Sequence, residues 1–226
     1  MKKTITLLCL FISTFSNAQE FTSLEEALKD PSTVIELDLS EQGLNEIPKG
    51  IELFINLKKL NLKKNNIQEI DTLLFSLKNL EYVNFSRNSI HKLPKQIAYL
   101  TNLSYLSLSY NNLTELPDAI IELENLERLY IQRNKITELP IDFGELKQLR
   151  KLYASHNILA FLPASFNNLT KLQALKLHKN NLYKISDVLI PLKNLQLLKL
   201  NDNQFDDYEK GKIKLRTPRK CKIEWE

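Results

Sequence analysis

Few residues in this chain could do covalent or metal chemistry. It has three histidines and two cysteines in 226 residues. Cys9 lies in an apolar N-terminal run, which leaves Cys221 as the thiol of the chain's body. There is no HExxH, no CxxC and no glycine-rich phosphate loop. His156 and His178 stand beside Lys176 and Lys179, which repel a cation. Two imidazoles without a third ligand are not a zinc pattern. The reading is of a chain with no catalytic residue, no cofactor and no metal. The chemistry on offer is non-covalent. Tyr82, Tyr105, Tyr130 and Tyr153 recur at near-regular spacing, with Arg87, Arg128, Arg133 and Lys151 among them. Tyr and Arg anchor interfaces because each joins a large, flat body to a polar tip.

What must position these residues is a repeat. Leu57, Leu80, Leu103, Leu126, Leu149, Leu172 and Leu195 open copies spaced by 23 residues, and Val34 opens one more. A fixed period of this size decides the architecture before any other signal. Within each copy positions 4 and 6 are apolar and positions 3, 5 and 7 are mostly polar, as in Leu106-Ser107-Leu108-Ser109. That alternation predicts a short strand with one buried face. Position 9 is Asn in seven copies, Asn65 to Asn203. An amide both donates and accepts, so it suits buried backbone groups where the chain leaves the strand. Pro follows position 14 at Pro48, Pro94, Pro117, Pro140 and Pro163, which predicts an extended or 3₁₀ arm. Asp71 and Ser186 replace it in two copies and are expected to cap short helices.

The pattern LxxLxLxxNxLxxLPxxIxxLxx, carried from Val34 to about Leu215, resembles the leucine-rich repeat family. The subclass it resembles is that of Ras-suppressor-like and Scribble-like scaffolds and of many bacterial repeat proteins. The resemblance implies an α/β fold, a right-handed horseshoe-shaped solenoid with a parallel sheet on the concave face. One copy cannot bury its apolar face, so stacking builds the core.

Met1 to Ala18 reads as a secretory signal peptide, with Lys2 and Lys3 before an apolar run too short to span a bilayer and small residues before Gln19. A lipoprotein signal at Cys9 and an uncleaved anchor are the rival readings. The expected organisation is a signal peptide over 1–18, a helical cap over 19–33, eight repeats over 34–216 and a closing strand over 217–226. The cap is a helix over Thr22–Lys29 that lays Leu24, Ala27 and Leu28 on the first repeat. In the eighth copy Phe205, Tyr208, Ile213 and Leu215 are apolar anchors and Gly211 interrupts the arm. Counting 23 from Leu195 places Cys221 at position 4 and Ile223 at position 6. That makes Cys221 a small core residue, with a reactive thiol as the alternative. Ala154 at position 6 leaves a gap that Phe161 or Phe166 could fill.

Net charge is +4, and +2 once the first 18 residues are removed, with 29 basic against 27 acidic residues. So even a balance does not suggest nucleic acid. The charges are nevertheless sorted. Read down the stack, positions 3, 5, 7 and 8 collect Lys59, Lys63, Lys64, Arg87, Arg128, Arg133, Lys151, Lys176, Lys179 and Lys199. Most acids fall on the outer arms. The expectation is an exported, monomeric, non-enzymatic module, periplasmic or at the cell surface. It binds a protein or peptide with acidic groups through Tyr82, Tyr105, Tyr130, Tyr153, Arg87, Arg128, Arg133 and Lys151. The alternative is a polyanion or glycan binder using the same tyrosines for stacking on sugars.

Overall fold

A computed structural model describes residues 20–225; the signal-peptide reading of 1–18 lies outside them. Among the described residues ten strands form one parallel sheet in chain order: β1 (Glu20–Phe21), β2 (Glu36–Asp38), β3 (Lys59–Asn61), β4 (Tyr82–Asn84), β5 (Tyr105–Ser107), β6 (Arg128–Tyr130), β7 (Lys151–Tyr153), β8 (Ala174–Lys176), β9 (Leu197–Lys199) and β10 (Lys222–Glu224). From β2 to β9 each residue pairs with the one 23 further on, as in Leu37↔Leu60 and Leu106↔Leu129. A one-residue slip would turn every buried leucine outward, so the period fixes the register. Positions 4 and 6 are fully covered, with Leu106, Leu108, Leu129 and Ile131 at 0% exposure.

The asparagine of position 9 ties neighbouring copies. Asn111 Oδ1 accepts from the Ile90 N–H at 2.9 Å. Its Nδ2 donates to the carbonyls of Phe85 and Leu108, both at 3.0 Å. Asn65, Asn88, Asn134, Asn157, Asn180 and Asn203 repeat the motif. Between strand and asparagine the chain turns through one left-handed residue, with φ between 55° and 60° at Glu41, Lys64, Arg87, Tyr110, Arg133, His156, Lys179 and Asp202. None of the eight is glycine, although the conformation costs an L-residue about 1 kcal/mol. Seven of them, Glu41 to Lys179, are held by an N–H donated to the next copy. Arg87 donates to the Ser109 carbonyl at 2.8 Å, Tyr110 to Gln132 at 2.8 Å and Arg133 to Ser155 at 2.9 Å.

The arms follow from proline. Pro94, Pro117 and Pro163 sit at φ near −62° to −65° at the start of 3₁₀ segments Lys95–Tyr99, Asp118–Glu122 and Ala164–Asn168. Having no N–H to lose, each offers its carbonyl to the residue three on, at 2.9 to 3.1 Å. Asp71 takes the same place with its side chain, accepting from the Leu73 N–H at 2.9 Å. Gly144 is required by close approach, since a Cβ there would overlap the Ser165 carbonyl of the next arm.

The ends depart from the repeat. Helix α1 (Leu24–Ala27), capped by Ser23, buries Ala27 and packs Leu24 and Leu28 on the core. Helix α2 (Ser186–Leu189) is not capped by Ser186, contrary to expectation. Ser186 lies inside it, and the buried Glu209 carboxylate accepts from the Ile185 and Ser186 N–H groups at 2.8 and 2.7 Å. Glu209 belongs to helix α3 (Asp207–Arg216), which runs through Gly211 without interruption. This helix is longer than a 3₁₀ arm, and it moves the closing strand by two residues. Lys222 pairs with Leu197 and Ile223 with Leu198. Cys221 therefore precedes the strand, is only half-buried, and is not the core residue the count implied. Burial pushes its thiol up to about 11, away from thiolate chemistry. Trp225 takes the inner place and meets Phe205 edge-on at 6.2 Å. Of the expected anchors in this copy, Phe205 and Ile213 are buried, whereas Tyr208 and Leu215 point to solvent. Phe161 is exposed and fills no gap beside Ala154, while Phe166 is buried against Phe143.

Candidate functional site

The sheet register brings the four tyrosines together. Tyr82 and Tyr105 are direct partners across β4 and β5, and Tyr130 and Tyr153 across β6 and β7. The column shifts from position 3 to position 5 between them, and the rings stay in contact. Centroids lie 4.2 Å apart for Tyr82–Tyr105, stacked at 16°. They lie 5.1 Å apart for Tyr105–Tyr130, tilted, and 5.0 Å for Tyr130–Tyr153, edge to face. Such pairs stabilise one another beyond area burial. Asn84, Ser86, Ser107 and Ser109, all buried, form the polar floor of the strip, and Asn84 Nδ2 reaches the Tyr82 hydroxyl at 3.4 Å. Burial first, then the neighbouring Tyr82 and Tyr130 phenols, hold the Tyr105 hydroxyl well above its ordinary range. Tyr130 shifts the same way, chiefly through burial. These two phenols are neutral hydrogen-bond donors at physiological pH.

The cations divide into two groups. Arg128 lies 5.7 Å from the Tyr105 centroid, and the Lys176 ammonium sits 4.2 Å over Tyr153. Arg87 and Arg133 are drawn away from the strip to Tyr110 at the rim, at 4.6 and 5.2 Å. Lys151 has no stacking contact of this kind. Among the described residues none of Arg87, Arg128, Arg133, Lys151, Lys176 and Lys179 forms an ion pair; pairs on this face occur at Lys59–Glu36, Lys64–Glu41 and Lys199–Glu224. Tyr110 was legible as the position-8 residue between two arginines one copy away on either side, but reading the tyrosines by strand position alone passes over it.

His156 and His178 do meet, edge to face at 5.2 Å. Burial, with Lys199 next, pushes His178 down to about 4, and burial with Arg133 lowers His156. Among the described residues no group of three or more His, Cys, Asp or Glu is placed to hold a metal. No described helix is long and apolar enough to cross a membrane. A groove of about 750 Å³ on the arms, lined by Glu69, His91, Lys92, Lys95, Glu115 and Asp118, lies off this face and mixes both charges.

Comparison with known proteins agrees with the architecture. The family model described as leucine-rich repeat region matches residues 94–215, and that described as leucine rich repeat matches 55–113. A leucine-rich-repeat protein of Leptospira interrogans superposes with a TM-score of 0.75 at 31% identity, over 91% of this chain and 57% of that one. Internalin C2 of Listeria monocytogenes gives 0.72 at 30% identity, over 79% and 76%. Internalin F of the same organism gives 0.66 at 24% identity, over 90% and 64%, a likeness of fold alone. The chain thus spans little more than half the length of the Leptospira protein. No curated protein matches it in sequence.

Proposed function

This chain belongs to the leucine-rich repeat family, and from that premise we propose that it is an exported, non-catalytic module that binds a protein or peptide on the middle of its concave sheet. One observation carries the reading: four tyrosines in unbroken contact across β4 to β7, flanked by cations that form no ion pair among the described residues. Contiguous exposed aromatics bordered by polar residues mark interaction sites. The unpaired cations select a partner with acidic groups. Export rests on the leader pattern of residues 1–18.

The ring geometry favours a polypeptide over a sugar. Tyr82 and Tyr105 cover each other's faces, and Lys176 covers a face of Tyr153. A sugar stacks on a bare ring face. The neutral Tyr105 and Tyr130 hydroxyls are donors, which suit carbonyls and carboxylates.

The test is capture from the producing cell's envelope and medium with Gln19–Glu226 as bait. The control bait has Tyr82, Tyr105, Tyr130 and Tyr153 changed to Ala, with an unchanged circular dichroism spectrum. A partner retained by the native bait and lost by the control is the expected result. Equal retention by both would move the search to the arms or the ends.

A further inference from the structure

One cluster stands beside the tyrosine strip rather than in it. Arg87, Tyr110 and Arg133 occupy position 8 of three successive copies, each in the left-handed conformation and each pinned by its N–H to the next copy. Their backbones are therefore fixed relative to one another. Arg87 and Arg133 stand two strands apart, about 10 Å at the spacing of a sheet. Both guanidinium groups lie over the Tyr110 ring, at 4.6 and 5.2 Å. A tyrosine ring accepts no hydrogen bond along the guanidinium's N–H fork, so an arginine held over a ring can still take a carboxylate with two hydrogen bonds. The same column supplies its own control. One copy earlier Lys64 is closed by Glu41 at 2.7 Å. Two copies beyond Arg133 comes Lys179, without an ion pair among the described residues and again left-handed. Arg87, Arg133 and Lys179 thus form a row of three cations at equal steps of two copies, each with its backbone N–H bonded to the next copy.

We infer that this rim row is a subsite for an extended acidic segment of the partner, lying along the stack with carboxylates three residues apart. The inference rests on the concave middle being the partner-binding face and names the chemistry of what binds at its edge. A single carboxylate is too small to bridge two cations about 10 Å apart. A polyproline II segment rises about 3.1 Å per residue and returns to the same face every third residue. Acids at i, i+3 and i+6 therefore meet Arg87, Arg133 and Lys179 in turn. A β-strand would send acids three apart to opposite faces. Each charge-assisted fork is of the stronger kind of hydrogen bond, so each arginine matters separately.

The probe is a fluorescent twelve-residue peptide of four Glu-Pro-Pro units, read by anisotropy against the purified protein at low salt. An isomer of the same composition has its four glutamates contiguous. The spaced peptide is expected to bind at least about tenfold more tightly than the isomer, and Arg87→Gln and Arg133→Gln each to weaken it about tenfold. Equal affinity for the two isomers overturns the spacing, and absence of binding to either overturns the acidic-segment assignment. Arginine variants that bind like the native chain, while the four-tyrosine variant loses binding, overturn the rim site and keep the strip. Loss in the arginine variants with none in the tyrosine variant supports the rim and removes the strip. A heparin octasaccharide that binds more tightly than the spaced peptide, with the same dependence on Arg87 and Arg133, overturns the peptide in favour of a sulfated glycan.

Discussion

At the first copies of the concave sheet Lys59 lies 2.6 Å from Glu36 and Lys64 2.7 Å from Glu41; at the last, Lys199 lies 3.4 Å from Glu224. In the middle, Arg87, Arg128 and Arg133 have no such carboxylate among the described residues and rest on tyrosine rings. Exposed ion pairs add little to stability, so the contrast does not concern what holds the stack together. It concerns where charge is left to act on something else. At the ends, Lys59, Lys64 and Lys199 each have a carboxylate of the chain beside them. In the middle the rings orient the cations without neutralising them. From β2 to β9 the strands keep one register, and on the concave face the contrast is carried by the side chains of positions 3, 5, 7 and 8.

The largest test concerns the stack itself. Asn111→Ala removes the amide that serves the Ile90 N–H and the Phe85 and Leu108 carbonyls. Leaving these buried groups unpartnered should cost about 3 kcal/mol in urea unfolding. The side chain of Gln42, its counterpart at the first copy, donates to the exposed Thr22 carbonyl. Gln42→Ala should cost about 0.5 kcal/mol. Equal losses at the two would mean that the ladder is no stronger in the middle than at its end.

The next test lies where the middle gives way to the end. His178 is pushed down to about 4, against 6.5 for an exposed imidazole. Between those values the unfolded chain binds a proton that the folded chain refuses. This part of the stability is therefore complete above pH 6.5 and lost as pH falls toward 4. The NMR titration of His178 should have its midpoint near 4, and His178→Gln should flatten the fall of the urea midpoint over that window. A midpoint near 6.5 would mean that Lys199 and burial do not act on it. A smaller gain is expected at the rim, where Lys179 is left-handed at φ 55°. Lys179→Asn should raise stability by up to about 1 kcal/mol, since Asn tolerates that region better. The smallest effect is the sharpest on the contrast itself. Glu36→Gln with Glu41→Gln uncovers Lys59 and Lys64 and should tighten the spaced acidic peptide roughly twofold at low salt, with the gain gone at high salt. No change would mean that the ends are not masked by their own acids.

Much of this was legible in the residues. The period of 23 implied the sheet, the buried Leu positions and the Asn ladder, because each copy solves the same burial problem with the same residues. The tyrosine contact followed from register alone. What escaped was whatever depends on a side chain leaving its column. Arg87 and Arg133 turn to Tyr110, and Lys59 and Lys64 turn to acids one copy back; rotamers decide both, and spacing is blind to them. The closing strand was misplaced because α3 is longer than a 3₁₀ arm, and nothing in the period announces the two extra residues. Ser186 failed as a cap because Glu209, one copy later, reached the same N–H groups first. The left-handed residue at position 8 was hidden because no glycine marks it.

The position of a partner against the middle of the concave sheet is what the function turns on. It is tested most directly by photo-cross-linking, with p-benzoylphenylalanine in place of Tyr130 in one preparation and of Tyr183, which is 59% exposed on an outer arm, in another. Illumination in the presence of envelope and medium should yield one discrete adduct from position 130 and none from position 183. An adduct from position 183 alone would place the partner on the outer arms and not on the concave sheet.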